Sequence, residues 1–221
     1  MGNNQHKSKS TVEYGGPVML IGGGFWDSKS SRTMVDSFSG VICADQGGRA
    51  ALDAGITPDL IVGDMDSFTG PFEGQVVHLA EQDTTDFEKC LYTVQAPLYV
   101  GYGFLGGRLD HELATLSTLT RYPEKNIILI GEKDVCFLCP PKITIKIDKG
   151  ARFSVFPMGD VEMCSTGLEW PLDGLKMSPT TQIATSNRAS NDQVTLSAEK
   201  GHAIAIVPLA YLDAVKAALT A

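Results

Sequence analysis

The chain has no apolar run of the roughly 18 residues that a membrane-crossing helix needs. Its opening, "MGNNQHKSKSTVEYGG", has no apolar core of the kind a secretory signal carries. Residues 1–16 are therefore expected to form a disordered leader, and the protein is expected to be cytoplasmic, with no membrane partner. A surplus of positive charge is also missing. With 18 Lys and Arg against 26 Asp and Glu, the formal net charge is −8. That disfavours a nucleic-acid partner, because phosphate contacts along a strand need clustered cations. It leaves room for a single nucleotide held through a metal. A disulfide framework is not expected from five cysteines, an odd number, in a chain without a signal. Cys136 and Cys139 form one CxxC, but no second Cys or His pair stands at zinc spacing, so they read as half-buried strand thiols. Internal repeats, low-complexity tracts and a Ser-His-Asp arrangement are absent as well.

Two textures are present. Up to about residue 130, short apolar runs ("VMLI", "VICA", "LIV", "PLYV", "NIILI") alternate with segments of helical spacing ("GGRAALDAG", "TTDFEKCLYTVQ", "LDHELATLSTLTRY"). Strand-then-helix alternation predicts an α/β domain with a mostly parallel sheet. Beyond it, "VCFL", "ITIKI", "RFSVF", "QVTLS" and "AIAIV" are short strands, several alternating with period two, and only "LAYLDAVKAAL" is helical. This half predicts an all-β sandwich or barrel. The boundary is expected near "CPPK", giving domains over 17–135 and 136–221.

In open α/β sheets, ligands collect at the carboxyl ends of the strands. Acidic residues stand at three such strand ends or helix starts. Asp45 follows "VICA", Asp64 and Asp66 follow "LIV", and Asp83 and Asp86 open the helix "TTDFEKCLYTV". In an extended chain, residues i and i+2 point the same way. "DMD" would then aim two carboxylates at one point and turn Met65 into the core. Such oxygen clusters suit Mg²⁺, which takes one or two carboxylates and substrate phosphates. Asp83 also reads as a helix N-cap with Asp86 at the third helical position, a reading compatible with a ligand role. Lys89, one turn on, is either a partner of Asp86 or a phosphate contact.

A second signal is "GFLGGRLDHE", residues 103–112. A Gly-rich loop leading into a helix exposes amide N–H groups where the helix dipole favours an anion. Arg108 adds a planar fork suited to phosphate oxygens. Asp110 reads as a cap and His111 as a hydrogen-bonded structural histidine. "LIGGGFWDS" is a poor dinucleotide-binding match, because Asp27 stands where the third glycine is needed.

Taken in order, "CADQGGRAALDAGITPDLIVGDMDS", "DTTDFEKCL" and "GFLGGRLDHELATL", followed by "GLEWPLDG" and "TQIATSNRAS", resemble the successive motifs of the thiamine pyrophosphokinase family. The resemblance runs from about residue 17 through nearly all the rest of the chain. It implies transfer of diphosphate from ATP to the hydroxyl of thiamine, giving thiamine diphosphate and AMP. It also implies dependence on Mg²⁺ and a homodimer with thiamine near the subunit interface. On it, Asp45, Asp64, Asp66 and one of Asp83 or Asp86 hold the metal and ATP, Asp83 being the residue assigned to the metal. Gln46, Gly47, Lys89, Gly106, Gly107 and Arg108 complete the nucleotide site. Asp64, Asp66, Arg108 and Asp110 carry catalysis, with Asp110 as candidate base. Asp110, His111, Thr185, Ser186 and Asn187 meet thiamine. The chain departs from the family pattern at Gln46, Arg49 and Thr115, while Trp170 keeps an aromatic common at its place. The alternatives are a pyrophosphokinase for a hydroxymethyl-pterin, a non-catalytic Mg-nucleotide module, and a metal-dependent phosphatase.

Overall fold

The apolar runs "VMLI", "GVICA" and "LIVG" become strands β2 (Val18–Ile21), β3 (Gly40–Ala44) and β4 (Leu60–Gly63), buried at every position. Continuous rather than alternating burial is what strands covered on both faces require. Each fully buried Leu or Ile in them contributes about 1.5–3 kcal/mol. The computed structural model describes residues 11–27, 32–66, 68 and 71–221. These divide into two compact units, one of residues 11–23 and 32–97, the other of 24–27 and 98–221.

In the first unit, β2, β3, β4 and β5 (Gln75–His78) pair in that order, all parallel. Helices α1 (Gly47–Asp53) and α2 (Asp86–Thr93) pack on these strands. Helix α1 starts hard against the sheet. A Cβ on Gly47 would lie 2.0 Å from the carbonyl oxygen of Ile21, so only glycine lets the helix begin there. Of the leader expected over 1–16, residues 1–10 lie outside the described residues. Val12–Glu13 forms β1, which pairs in parallel with β6 (Val94–Gln95).

The second unit contains β7 (Tyr99–Tyr102), α3 (Leu109–Arg121), β8 (Ile127–Ile130), β9 (Asp134–Leu138) and β10 (Lys142–Lys146). It continues with β11 (Arg152–Pro157), β12 (Glu162–Thr166), β13 (Ala184–Arg188), β14 (Gln193–Lys200), β15 (Ala203–Pro208) and α4 (Leu212–Leu219). One run of pairing takes the order β13-β11-β15-β9-β8-β7. Within it only β7 and β8 are parallel. The pairs β8–β9, β9–β15, β15–β11 and β11–β13 are antiparallel.

The expectation of a mostly parallel sheet is thus corrected: the sheet is mixed. The cause is local. Only residues 131–133 separate β8 from β9, and the amide of Gly131 donates to the carbonyl of Asp134 at 2.8 Å. A link this short closes a hairpin and cannot carry the crossover that a parallel neighbour needs.

A separate antiparallel sheet, β10-β14-β12, makes the all-β part. In β10, Ile143 and Ile145 are buried while Lys142, Thr144 and Lys146 face out, opposite Leu196, Val194 and their neighbours on β14. This is the period-two pattern read from "KITIK". Cys136 and Cys139 are buried at β9 and just past it, and burial pushes both thiols up to about 12. Among the described residues no helix is long and apolar enough to cross a membrane.

Candidate active site

In the first unit three chain segments end at one place. β3 leads into Asp45, whose backbone is left-handed (φ 37°) and which is only 3% exposed. Its amide donates to the carbonyl of Val62 at 2.9 Å, tying the turn to β4. Its Oδ1 accepts from the amide of Phe68 at 3.2 Å. β4 leads into Asp64, which accepts from the Gln82 side-chain amide at 2.9 Å and from the Asp66 amide at 3.3 Å. The Gln82 hydrogen bond is the main reason the Asp64 carboxyl is held below its ordinary value. Helix α2 then contributes Asp86. One carboxylate oxygen from each of Asp45, Asp64 and Asp86 lies within 4.8 Å of the other two. Asp86 also accepts from Lys89 Nζ at 3.0 Å, and the Lys89 side chain is just 2% exposed. A lysine this buried needs a charge partner close by.

Two details differ from the expectations. Met65 is left-handed (φ 60°), so "DMD" is not extended and its carboxylates do not share one side of a strand. Asp66 is exposed, and its backbone caps Asp64 instead. The cap of α2 is Thr85, whose hydroxyl accepts from the Glu88 amide at 3.3 Å. That moves Asp86 to the first helical position, where it joins the cluster, and leaves Asp83 exposed ahead of the helix, outside the group of three. Thr outcompetes Asp83 as cap because the helix begins one residue after it.

Gln46 precedes α1 and is exposed; Gly47 behind it is buried. Arg49 pairs with Asp53 at 2.7 Å on the solvent side of α1. Sequence reasoning missed Gln82 and the Phe68 amide. Nothing in "EQDTTDFEK" distinguishes Gln82 from a solvated loop residue until the fold brings it to Asp64.

In the second unit the Gly-rich loop joins β7 to α3. Gly106 takes φ 82°, a value open to glycine. The amides of Gly106 and Gly107 donate to Glu112 Oε1 at 3.0 and 2.9 Å. Arg108 is the N-cap residue of α3, and its guanidinium forks onto Asp110, with Nε to Oδ1 at 3.1 Å and Nη2 to Oδ2 at 2.6 Å. Both side chains stay exposed, at 71% and 64%. The Arg108 hydrogen bonds hold the Asp110 carboxyl below its ordinary 3.8 and raise the guanidinium in return. His111 is exposed, its amide donating to Asp110 Oδ1 at 3.1 Å, and Thr115 is buried in α3.

A pH expectation follows. A depressed carboxyl contributes above its unfolded value and loses that contribution only as pH falls through the folded one. The Arg108–Asp110 pair therefore persists from neutral pH down past 3.8. Carboxyl titration of Asp110 followed by NMR should show no inflection between about pH 5 and 8, the window where an ordinary histidine titrates.

On β13, Thr185 and Ser186 are exposed. Ser186 is left-handed (φ 60°) beside a register shift against β11, and its amide donates to Ser154 Oγ at 3.0 Å. Asn187 is turned inward and 5% exposed. Its Nδ2 donates to the carbonyl of Trp170 at 2.7 Å, and its Oδ1 accepts from the amides of Trp170 at 3.2 Å and Arg188 at 2.8 Å. Arg188 lies over the half-exposed Trp170 ring at 5.2 Å and pairs with Glu169 at 2.8 Å. The side chain of Asn187 thus holds Trp170 in place, a link between "GLEW" and "TSNR" that sequence spacing does not reveal.

Two family descriptions match the chain. "Thiamin pyrophosphokinase, catalytic domain" covers residues 31–130, and "Thiamin pyrophosphokinase, vitamin B1 binding domain" covers 142–203. Thiamine pyrophosphokinase of Bacillus subtilis is 30% identical over 182 residues, spanning 75% of this chain and 85% of that one. Thiamine pyrophosphokinase 1 of Oryza sativa is 31% identical over 166 residues, spanning 64% of this chain. The match extends over 63% of that plant relative's length. The crystal structure of the B. subtilis protein superposes with a TM-score of 0.72 at 26% identity, covering 87% of this chain and 98% of that one. The Geobacillus thermodenitrificans protein has the same fold, with a TM-score of 0.75 at 24% identity over 87% and 97% of the two chains.

Proposed function

The chain belongs to the thiamine pyrophosphokinase family, and from that premise we propose that it transfers diphosphate from ATP to the hydroxyl of thiamine, releasing AMP. The observation that carries this reading is the meeting of Asp45, Asp64 and Asp86 oxygens within 4.8 Å. Two ionised carboxylates at that separation repel by on the order of 3 kcal/mol at an effective dielectric of about 20. One lysine does not balance three such groups, whereas the lysine and a divalent cation together do. Three carboxylate oxygens gathered at one place make an all-oxygen donor set, which suits Mg²⁺.

When bound, the metal neutralises phosphate charge and orients the phosphate oxygens. Asp45, Asp64 and Asp86 would hold it. Asp66, just past β4, and Asp83, ahead of α2, are assigned to the nucleotide side of that site, with Gln46 and Gly47. Lys89 fixes Asp86 and adds a buried positive charge. Arg108 balances charge on the transferring diphosphate, and Asp110 holds its fork in place. The thiamine hydroxyl attacks the β-phosphorus in line while AMP leaves, chemistry that asks for positioning and charge balance more than for a protein nucleophile. Ion pairing to Arg108 makes Asp110 a weak base, so its chief role here is orientation. Thr185, Ser186, His111 and the Asn187-supported Trp170 face thiamine in this reading.

Residues 17–135 are assigned to ATP and 136–221 to thiamine, in a cytoplasmic homodimer. Sedimentation velocity tests the assembly: a single species at the 23.7 kDa chain mass would rule the dimer out. No observation favours a pterin substrate or a non-catalytic module. The deciding experiment mixes the protein with ATP, Mg²⁺ and thiamine and quantifies products by chromatography. AMP and thiamine diphosphate are expected in equal amounts. Release of phosphate without AMP, or no turnover, defeats the reading.

A further inference from the structure

The residue that binds the Gly-rich loop is the last of "GFLGGRLDHE", Glu112. Glu112 Oε1 accepts from the amides of both Gly106 and Gly107, at 3.0 and 2.9 Å. We infer that Glu112 is a positioning residue for Arg108. It staples the loop so that Arg108 enters α3 with its guanidinium turned out to ligand.

The packing of the loop explains why a staple is needed. A Cβ on Gly106 would meet nothing within 4 Å, and one on Gly107 only the Cα of Gly24 at 3.6 Å. The space beside both glycines is open, and their amides are held by two charge-assisted hydrogen bonds to one carboxylate oxygen, bonds about twice as strong as neutral ones.

The staple is reciprocal. While the Glu112 side chain takes the two amides before Arg108, the Glu112 amide donates to the Arg108 carbonyl at 3.0 Å. Arg108 itself has no side-chain cap bond and sits extended at φ −71°, ψ 125°. Its backbone is thus held by Glu112 and its head by Asp110. The two amides that a Gly-rich loop offers to an anion are already taken. Phosphate recognition on this loop falls to the Arg108 side chain, whose placement depends on Glu112.

The kinetic part of the test rests on the proposed reaction; the exchange part does not. Amide hydrogen exchange of Gly106 and Gly107 is measured by NMR in the ligand-free protein, beside KM and kcat for MgATP and the thermal midpoint. In Glu112→Ala both amides should exchange at least about tenfold faster, and a higher KM together with a lower kcat should cut kcat/KM about tenfold, with the midpoint nearly unchanged. Glu112→Gln keeps an acceptor oxygen at the same place and should restore most of both losses, which a merely structural role in the fold would not predict. Unchanged exchange and KM in Glu112→Ala overturn the inference. So does a lowered KM, which would make Glu112 a competitor for the anion. So does a Gln variant as impaired as the Ala variant. If the unaltered protein forms no AMP, the reaction reading fails, while the exchange rates still decide the role of Glu112.

Discussion

Replacing Asp64 with asparagine should lower kcat/KM for AMP formation at least about a hundredfold, close to 3 kcal/mol of transition-state stabilisation, and leave the fold intact. The loss is large because Asp64 is one of three carboxylates that converge within 4.8 Å, and asparagine supplies no charge to a divalent cation. The fold survives for a physical reason. Removing one of three like charges relieves repulsion in the metal-free protein, so the thermal midpoint without Mg²⁺ should hold or rise slightly. The hydrogen bond from the Asp66 amide has an acceptor in asparagine, and Gln82 can turn its amide to present oxygen in place of nitrogen.

Linkage separates site from scaffold. Mg²⁺ with nucleotide should raise the midpoint of the unaltered protein by mass action and fail to raise that of the variant. Asp86→Asn should lose turnover alike but lower the metal-free midpoint, because it takes the charge partner of the buried Lys89, and the double variant should lose little more turnover than either single one, because the carboxylates act as a unit. A variant that keeps near-native turnover would remove Asp64 from the metal site.

The meeting of these aspartates was partly legible in the sequence, because Asp45 and Asp64 follow strands and Asp86 opens a helix, the places where ligands sit in α/β domains. What the sequence could not show was which aspartate would reach the common point. That depended on one dihedral and one cap. The left-handed backbone at Met65 takes "DMD" out of the strand pattern, and Thr85 rather than Asp83 begins α2, which turns Asp86 inward. Neither choice follows from composition, since Thr and Asp are both good caps.

In the fold, uniform apolar runs gave β2, β3 and β4 and alternation gave β10, yet strand direction was misjudged. Periodicity reports which face is buried and is silent on orientation. The three-residue link after β8 carries that information, in the bond from Gly131 to Asp134. Asn187 illustrates the remaining gap: "TSN" reads as three polar residues in a row. Folding turns Ser186 out and Asn187 in, so one of them is left open to a ligand and the other supports Trp170.

Arg108→Lys should cut kcat/KM by about a hundredfold as well, through a different route and with no cost in stability. The guanidinium is 71% exposed, and its partner Asp110 is 64% exposed. Ion pairs so open to water contribute little to folding, so the pair is not there to hold the protein together. A fork held flat by two bonds to a carboxylate presents its remaining N–H donors in a fixed plane, which matches phosphate oxygens bidentately. Lysine keeps the charge but offers a single point donor and cannot make both bonds to Asp110 in that geometry. The substitution therefore tests the fork and not the charge. The expected outcome is a fall in both kcat and kcat/KM at an unchanged thermal midpoint, with Asp110→Asn milder because the fork keeps its charge and loses only its orientation. Near-native kinetics in the lysine variant would show that charge alone suffices at this position, and the diphosphate contact assigned to the Arg108 fork would have to be given up.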